Sequence, residues 1–232
     1  MHALADDTLQ ALLQLTSGGF PTGSFSHSYG LETFVQAGQV HDTTTFGDWL
    51  DVHLRHTVGP TDAAAVALIT RAVTAGDWDA VLRIDRLLTD LKLTPEVRTA
   101  SLTTGQAALR AAREVFPGPA LENYAALIAG RRAPGNAAAT FGCVTADLKV
   151  APSSAVLVFL WGVASSLTAV ATRLVPLGAI AAQRRLRELG PGLRDVAARA
   201  EALREHELHT AAAGQDVATL RHARLYSRLC IS

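Results

Sequence analysis

Apolar residues recur along this chain at intervals of three and four, and the stretches between them are short and rich in Gly, Pro, Ser and Asp. That spacing puts apolar side chains on one face of a helix. Leu9, Leu12, Leu13 and Leu15 form the first set, behind Asp6 and Asp7 as capping candidates. In residues 43–58 the stripe is Phe46, Trp49, Leu50, His53 and Leu54, and Gly59-Pro60 is expected to end that helix. "PTDAAAVALITRAVTAG" reads as the next helix, stopped by Gly76, and Asp77 can cap "WDAVLRIDRLLTDLK". Thr94, Pro95 and Glu96 supply a cap, a first-turn proline and an acid near the positive helix end, for a helix running to Phe116. Further helices are expected at 120–131, 136–149, 153–174, 177–189 and 192–212. No segment sustains period-two alternation, so the fold class is all-α, a single compact domain over 1–232 of about ten helices. No fixed-period repeat or linker divides it.

Composition adjusts this picture little. The 232 residues suffice for one large core. Lys plus Arg and Asp plus Glu are equal at 21 each, so there is no global pull toward nucleic acid or anionic membrane. Acidic side chains dominate residues 1–90 and basic ones 183–232, an asymmetry that suits docking between proteins or copies of this one. Cys143 and Cys230 are too few and too distant for a disulfide scaffold or a thiolate metal site. The first residues lack a basic and an apolar region of the secretory kind, which points to a cytoplasmic location. Residues 150–172 carry no charge and approach the ~20 apolar residues of a membrane span. Six serines and threonines dilute them, among them Ser165, Ser166 and Thr168, so a central helix buried on all sides is expected instead.

Residues 17–32, "SGGFPTGSFSHSYGLE", resist a helical reading. Their glycines allow tight turns, and Phe20, Phe25 and Tyr29 supply contact area. There is no lysine for a phosphate-binding loop, and no serine framed by glycines as in a hydrolase elbow. Ser24, Ser26, Ser28 and His27 have no evident orienting acid, so turn-capping serines are the simpler account. His53/His56 and His206/His209 are spaced three apart, which can offer two metal ligands from one helix face. The charged neighbours Arg204, Glu205 and Glu207 fit a solvated face better, and His53 lies on an apolar stripe that suits a partly buried position. No metal is assigned and no cofactor is expected. The tail, 214–232, mixes Leu220, Leu225, Tyr226 and Leu229 with Arg221, Arg224 and Arg228. Tyr and Arg are favoured in desolvated interfaces, so this segment is expected to be partly flexible and partner-binding.

Four stretches together resemble the UreF family of urease accessory proteins: "LLQLTSGGFPTGSFSHSYGLETFVQAGQV", "TPEVRTASLTTGQ", "FGCVTADLKV" with "VASSLTAVATRLVPLG", and "DVATLRHARLYSRLCIS". They span nearly the whole chain in the family's order. The chain departs from the family pattern at Asn136, Ala179–Ala182, Ala223 and Cys230. The resemblance implies an all-helical homodimer, not an enzyme, that joins UreD (UreH) and the GTPase UreG. That complex assists nickel insertion into apo-urease, with no nucleic acid and no membrane involved. Partner binding is then placed on Gly23, Phe25, Ser26, Tyr29, Gly30, Leu31 and Glu32. It extends to Arg173, Pro176, Leu177, Gly178 and Gln183, and in the tail to His222, Tyr226, Ser227, Arg228 and Leu229. Two alternatives stand beside the scaffold: a tail arginine, Arg224 or Arg228, entering the GTPase site, and a weak nickel relay through the histidine pairs.

Overall fold

The computed structural model describes residues 5–232, and among them every regular element is helical. The chain begins with α1 (Asp6–Leu15), a 3-10 turn (Ser24–Ser26) and α2 (Leu31–Gln36). Next, α3 (Thr43–His53) runs without a break through a π-helical segment (Leu54–Ala63) into α4 (Ala64–Ala75). After these come α5 (Trp78–Leu91), α6 (Pro95–Val115), α7 (Pro119–Ala129), α8 (Ala137–Asp147) and α9 (Pro152–Leu174). The last elements are α10 (Ala179–Glu188), α11 (Gly190–Ala202), a 3-10 turn (Glu205–Glu207) and α12 (Ala213–His222). The all-α expectation holds, and the starts expected at Asp77 and Thr94 are capped as read. Asp6 and Asp7 instead lie inside α1, whose N-cap Ala5 makes no side-chain cap bond, and Asp42 caps α3 without having been singled out in the sequence. Asp42 accepts from Thr45 N at 2.8 Å, Asp77 from Ala80 N at 2.9 Å and Thr94 from Val97 N at 3.4 Å.

Three expectations are corrected. Gly59-Pro60 does not end the second helix, because a wider i→i+5 turn accommodates the proline ring and its missing N–H. The carbonyls of His56 and Pro60 then accept from Ala211 N at 2.9 Å and His209 N at 3.2 Å. The helix expected over 192–212 stops at Ala202, and the following residues run irregularly across the π segment to supply those donors. The third correction concerns the centre of the molecule. α9 is long and apolar enough to cross a membrane, but only 44% of its most apolar window is buried. Ala155, Val156, Leu160, Ala164, Leu167 and Ala171 face the core, while Trp161 is 42% exposed.

The central helix is α8. Ala138, Ala139, Thr140, Gly142, Cys143, Val144 and Thr145 are all buried, and these small side chains let neighbouring backbones close in. A β-carbon on Gly142 would meet Ile69 of α4 at 2.7 Å. Gly105 of α6 lies flush against the backbone of residues 135–137. Asp85, fully buried, fixes that crossing by accepting from Tyr124 Oη (2.7 Å), Gly135 N (3.1 Å), Asn136 N (3.1 Å) and Asn136 Nδ2 (2.8 Å). Asn136, where the chain departs from the family pattern, is thus satisfied entirely within the fold. Among the described residues the contiguous apolar core ends at Leu208, so α12 and the tail lie outside it.

A candidate docking site where the first loop meets the tail

The loop of residues 17–32 owes its path to two consecutive left-handed residues, Tyr29 (φ 51°) and Gly30 (φ 86°). A side chain at Gly30 would also press on Thr219 of α12 at 3.0–3.3 Å, so glycine is required twice over. This turn aims backbone donors and the side chain of Glu32 at the other end of the chain. Glu32 Oε1 accepts from Leu229 N at 2.7 Å, and Oε2 accepts from Cys230 N at 3.0 Å. Ile231 N donates to Ser26 O at 2.7 Å. Ser28 N (2.5 Å), Ser28 Oγ (2.8 Å) and Tyr29 N (3.2 Å) converge on Ser232 O. Gln36 Nε2 donates to Ser227 O at 2.9 Å, and Thr33 Oγ1 to Ala218 O at 2.9 Å. The result is one polar seam between residues 26–36 and 218–232.

At its middle lies His222, fully buried between two carboxylates. Its Nε2 is 3.1 Å from Glu32 Oε2, and its Nδ1 is 2.8 Å from Glu96 Oε2. Arg228 Nη1 donates to the other Glu96 oxygen at 3.0 Å. Burial by itself pushes Glu32 upward, but the N–H groups of Leu229 and Cys230 and the His222 ring outweigh it and hold the carboxyl below its ordinary range. Because the clamp grips main chain, tail side chains alternate. Cys230 and Ser232 turn inward, while Leu229 and Ile231 are exposed and Tyr226 stands fully in solvent.

Beneath α12 is a cavity of about 370 Å³. Its lining includes the apolar Leu15, Phe141, Phe159 and Val163 and the polar Tyr29, His53, Asp62, Lys92, Gln215 and Asp216. Lys92 Nζ donates to Asp62 Oδ1 at 2.8 Å, and Gln215 Oε1 lies 2.9 Å from His53 Nδ1. Burial lowers the His53 pKa, partly offset by Gln215 and Asp62.

The structure therefore gathers two of the three groups of sequence-predicted residues. Ser26, Tyr29 and Glu32 bond the tail and Gly30 abuts α12, while Gly23, Phe25 and Leu31 belong to the same stretch of chain, and the Arg173 guanidinium joins it by donating to Phe25 O. Gly30, Glu32 and His222 are buried at that seam and Leu31 in the apolar core, whereas Phe25, Tyr226, Ser227, Arg228 and Leu229 remain exposed. Pro176, Leu177 and Gly178 form the turn from α9 to α10, Leu177 being buried, and Gln183 is exposed on α10. His56 is exposed beside buried His53. His206 and His209 are exposed on a 3-10 turn and an irregular stretch, so the shared helix face expected of them does not form. No group of three or more potential ligands able to hold a metal occurs among the described residues. Sequence reasoning missed the tail-holding role of Glu96, which it read only as a helix-end acid.

Fold and site together define a helical protein whose most developed polar apparatus holds one of its own segments in place. The sequence model of the UreF family matches residues 40–190. Similar proteins include the urease accessory protein UreF of Arthrobacter sp. (strain FB24), 33% identical over 222 residues and 96% of each chain. That of Bacillus sp. (strain TB-90) is 31% identical over 224 residues, covering 97% of this chain and 99% of the relative. That of Paenarthrobacter aurescens (strain TC1) is 32% identical over 222 residues, covering 96% and 97%. The chain belongs to the UreF family of urease accessory proteins.

Proposed function

We propose that this chain is a non-catalytic, cytoplasmic scaffold that bridges UreD (UreH) and the GTPase UreG, and through that complex assists GTP-dependent nickel insertion into apo-urease. Nickel is cargo in this reading, and the chain needs no cofactor. The observation that carries it is the seam. The motif-bearing loop spends its polar groups on the tail's main chain, leaving Tyr226, Leu229 and Ile231 presented beside the exposed Arg221, Arg224 and Arg228. Aromatic and apolar anchors among arginines are the composition of interface hot spots. The exposed side of α9 around Trp161 supports self-association as a homodimer. Arg228 is held by Glu96, which favours a positioning role over a catalytic arginine in the GTPase site. The experiment is co-purification with UreD and UreG, followed by size exclusion with light scattering. Replacing both Tyr226 and Leu229 by Ala spares the fold and is expected to weaken UreD binding about tenfold or more. Complexes recovered undiminished would overturn the assignment of the tail.

A further inference from the structure

We infer that the cavity is a binding site for a small uncharged amphipath, an apolar body carrying one hydroxyl head, which His53 receives through Nε2. Three observations converge. First, the space suits such a molecule. A volume of about 370 Å³ is that of a small-molecule pocket, and Leu15, Phe141, Val144, Phe159, Val163 and Leu167 give it a largely apolar lining. Water finds few hydrogen-bond partners against such walls, so an apolar body is favoured over it there. Second, the lining holds one deeply buried polar atom with nothing to bond. Gln215 Nε2 donates to Trp49 O at 3.4 Å, so Gln215 Oε1 is the acceptor toward Thr57 Oγ1 at 3.1 Å and His53 Nδ1 at 2.9 Å. The ring proton therefore sits on Nδ1, and Nε2 is a bare acceptor. His53 is 4% exposed, yet its Nε2 has no hydrogen-bond partner among the described residues. Nor is that atom sealed in protein, since Trp49 Nε1, Arg185 Nε and Thr210 Oγ1 are the described side-chain atoms that are both sealed and unpartnered. It opens on the cavity that His53 lines. Third, the surroundings of His53 suit a neutral head. Lys92 and Asp62 satisfy each other at 2.8 Å, and the Tyr29 ring lies 6.0 Å from that of His53. Burial and Asp62 raise the Tyr29 pKa, so its hydroxyl stays uncharged. A charged head would have to shed its water without gaining a free counter-ion beside His53. The mouth of the cavity is at the first loop, where Gly18, Thr22, Ser24 and Phe25 line it and Gly18 and Phe25 are exposed, so a ligand enters with the tail in place.

The probe is para-butylphenol, titrated into the full chain by calorimetry. Beside it run para-butylanisole, with the same body and no donor, and para-butylbenzylamine, which is charged at neutral pH. One-to-one binding of the phenol is expected, with the ether and the ammonium each about tenfold weaker or more. An ether or an ammonium that binds as tightly as the phenol would overturn recognition of a hydroxyl by His53. No binding of the phenol up to its solubility limit would refute the site. Val163→Phe fills the cavity from α9 and is expected to weaken the phenol about tenfold or more, whereas undiminished affinity would place the ligand elsewhere. Should that variant fail to fold, nuclear Overhauser effects on the unaltered chain decide. Contacts from the bound phenol to the rings of His53, Phe141 and Phe159 are expected, and contacts confined to residues outside the cavity would refute the proposal.

Discussion

His53 stacks on Trp49 with ring centroids 5.1 Å apart and is capped at Nδ1 by Gln215. Burial lowers its pKa below the ordinary value of 6.5, and burial does the same to His27, whose Nδ1 lies 2.8 Å from Ser232 Oγ. In each case the unfolded chain takes up a proton more readily than the folded one. Stability is therefore complete above pH 6.5 and declines as pH falls from that value toward the lowered folded pKa. Glu32 adds a second loss at lower pH. Its depressed pKa gives stabilisation that is present above its ordinary value of 4.5 and disappears as pH falls through the folded value. Urea midpoints are predicted to drop between pH 8 and pH 5, and His53→Gln to make that drop shallower. Identical pH dependence in both proteins would show that His53 is not held neutral. The apolar stripe carrying His53 made its burial legible from sequence, and the glycines of the loop announced its turns. The partners of Glu32 were not legible, because they are main-chain groups some two hundred positions away and backbone donors leave no mark on residue identity.

Between helices the spacing is set by residues that have no side chain. An ordinary mid-helix Gly→Ala change stabilises by about 1 kcal/mol. At Gly105 the sign should reverse, because a β-carbon there would overlap Gly135 O, Ala137 N and the Asn136 carbonyl carbon, all backbone. No rotamer relieves that clash, so α6 and α8 must separate or bend, at a cost on the order of 2 kcal/mol or more. Gly105→Ala is thus predicted to lower the urea midpoint clearly. A neutral or stabilised variant would mean that the two helices are not in backbone contact. Two helices whose caps lie in neighbouring residues were readable from sequence, as Asp77 and Thr94 show. The π segment was not, since Gly-Pro normally stops a helix and its carbonyls are satisfied by Ala211 and His209 from far along the chain. α12 was also missed as a separate helix, because its buried side is polar and leaves no apolar stripe to read.

The apolar run of residues 150–172 was misjudged at the scale of the whole molecule. Hydropathy reports that a helix avoids water, but not whether its own chain or another covers it. The buried side of α9 is spent on the core, while Trp161 stays 42% exposed. The C-terminal end of α1 abuts it, since a β-carbon on Gly162 would sit 3.3 Å from Cγ2 of Thr16, the residue that follows α1. Leu9 and Leu13 share the helical face of Thr16 and are 45% and 62% exposed. A charge-free helix side, with two exposed leucines on the helix whose end abuts it, is an apolar surface that a second copy can cover, and the homodimer proposed above is expected to use it. An aspartate at its centre would have to be buried without a partner on each side of the two-fold axis, at a cost of several kcal/mol per dimer. Trp161→Asp is therefore predicted to run as a monomer by light scattering at micromolar concentration. Its helix content by circular dichroism should be unchanged, because the substituted side chain already faces out of the fold. A dimer that survives the substitution would move the interface off α9 and leave the exposed leucines of α1 to some other surface.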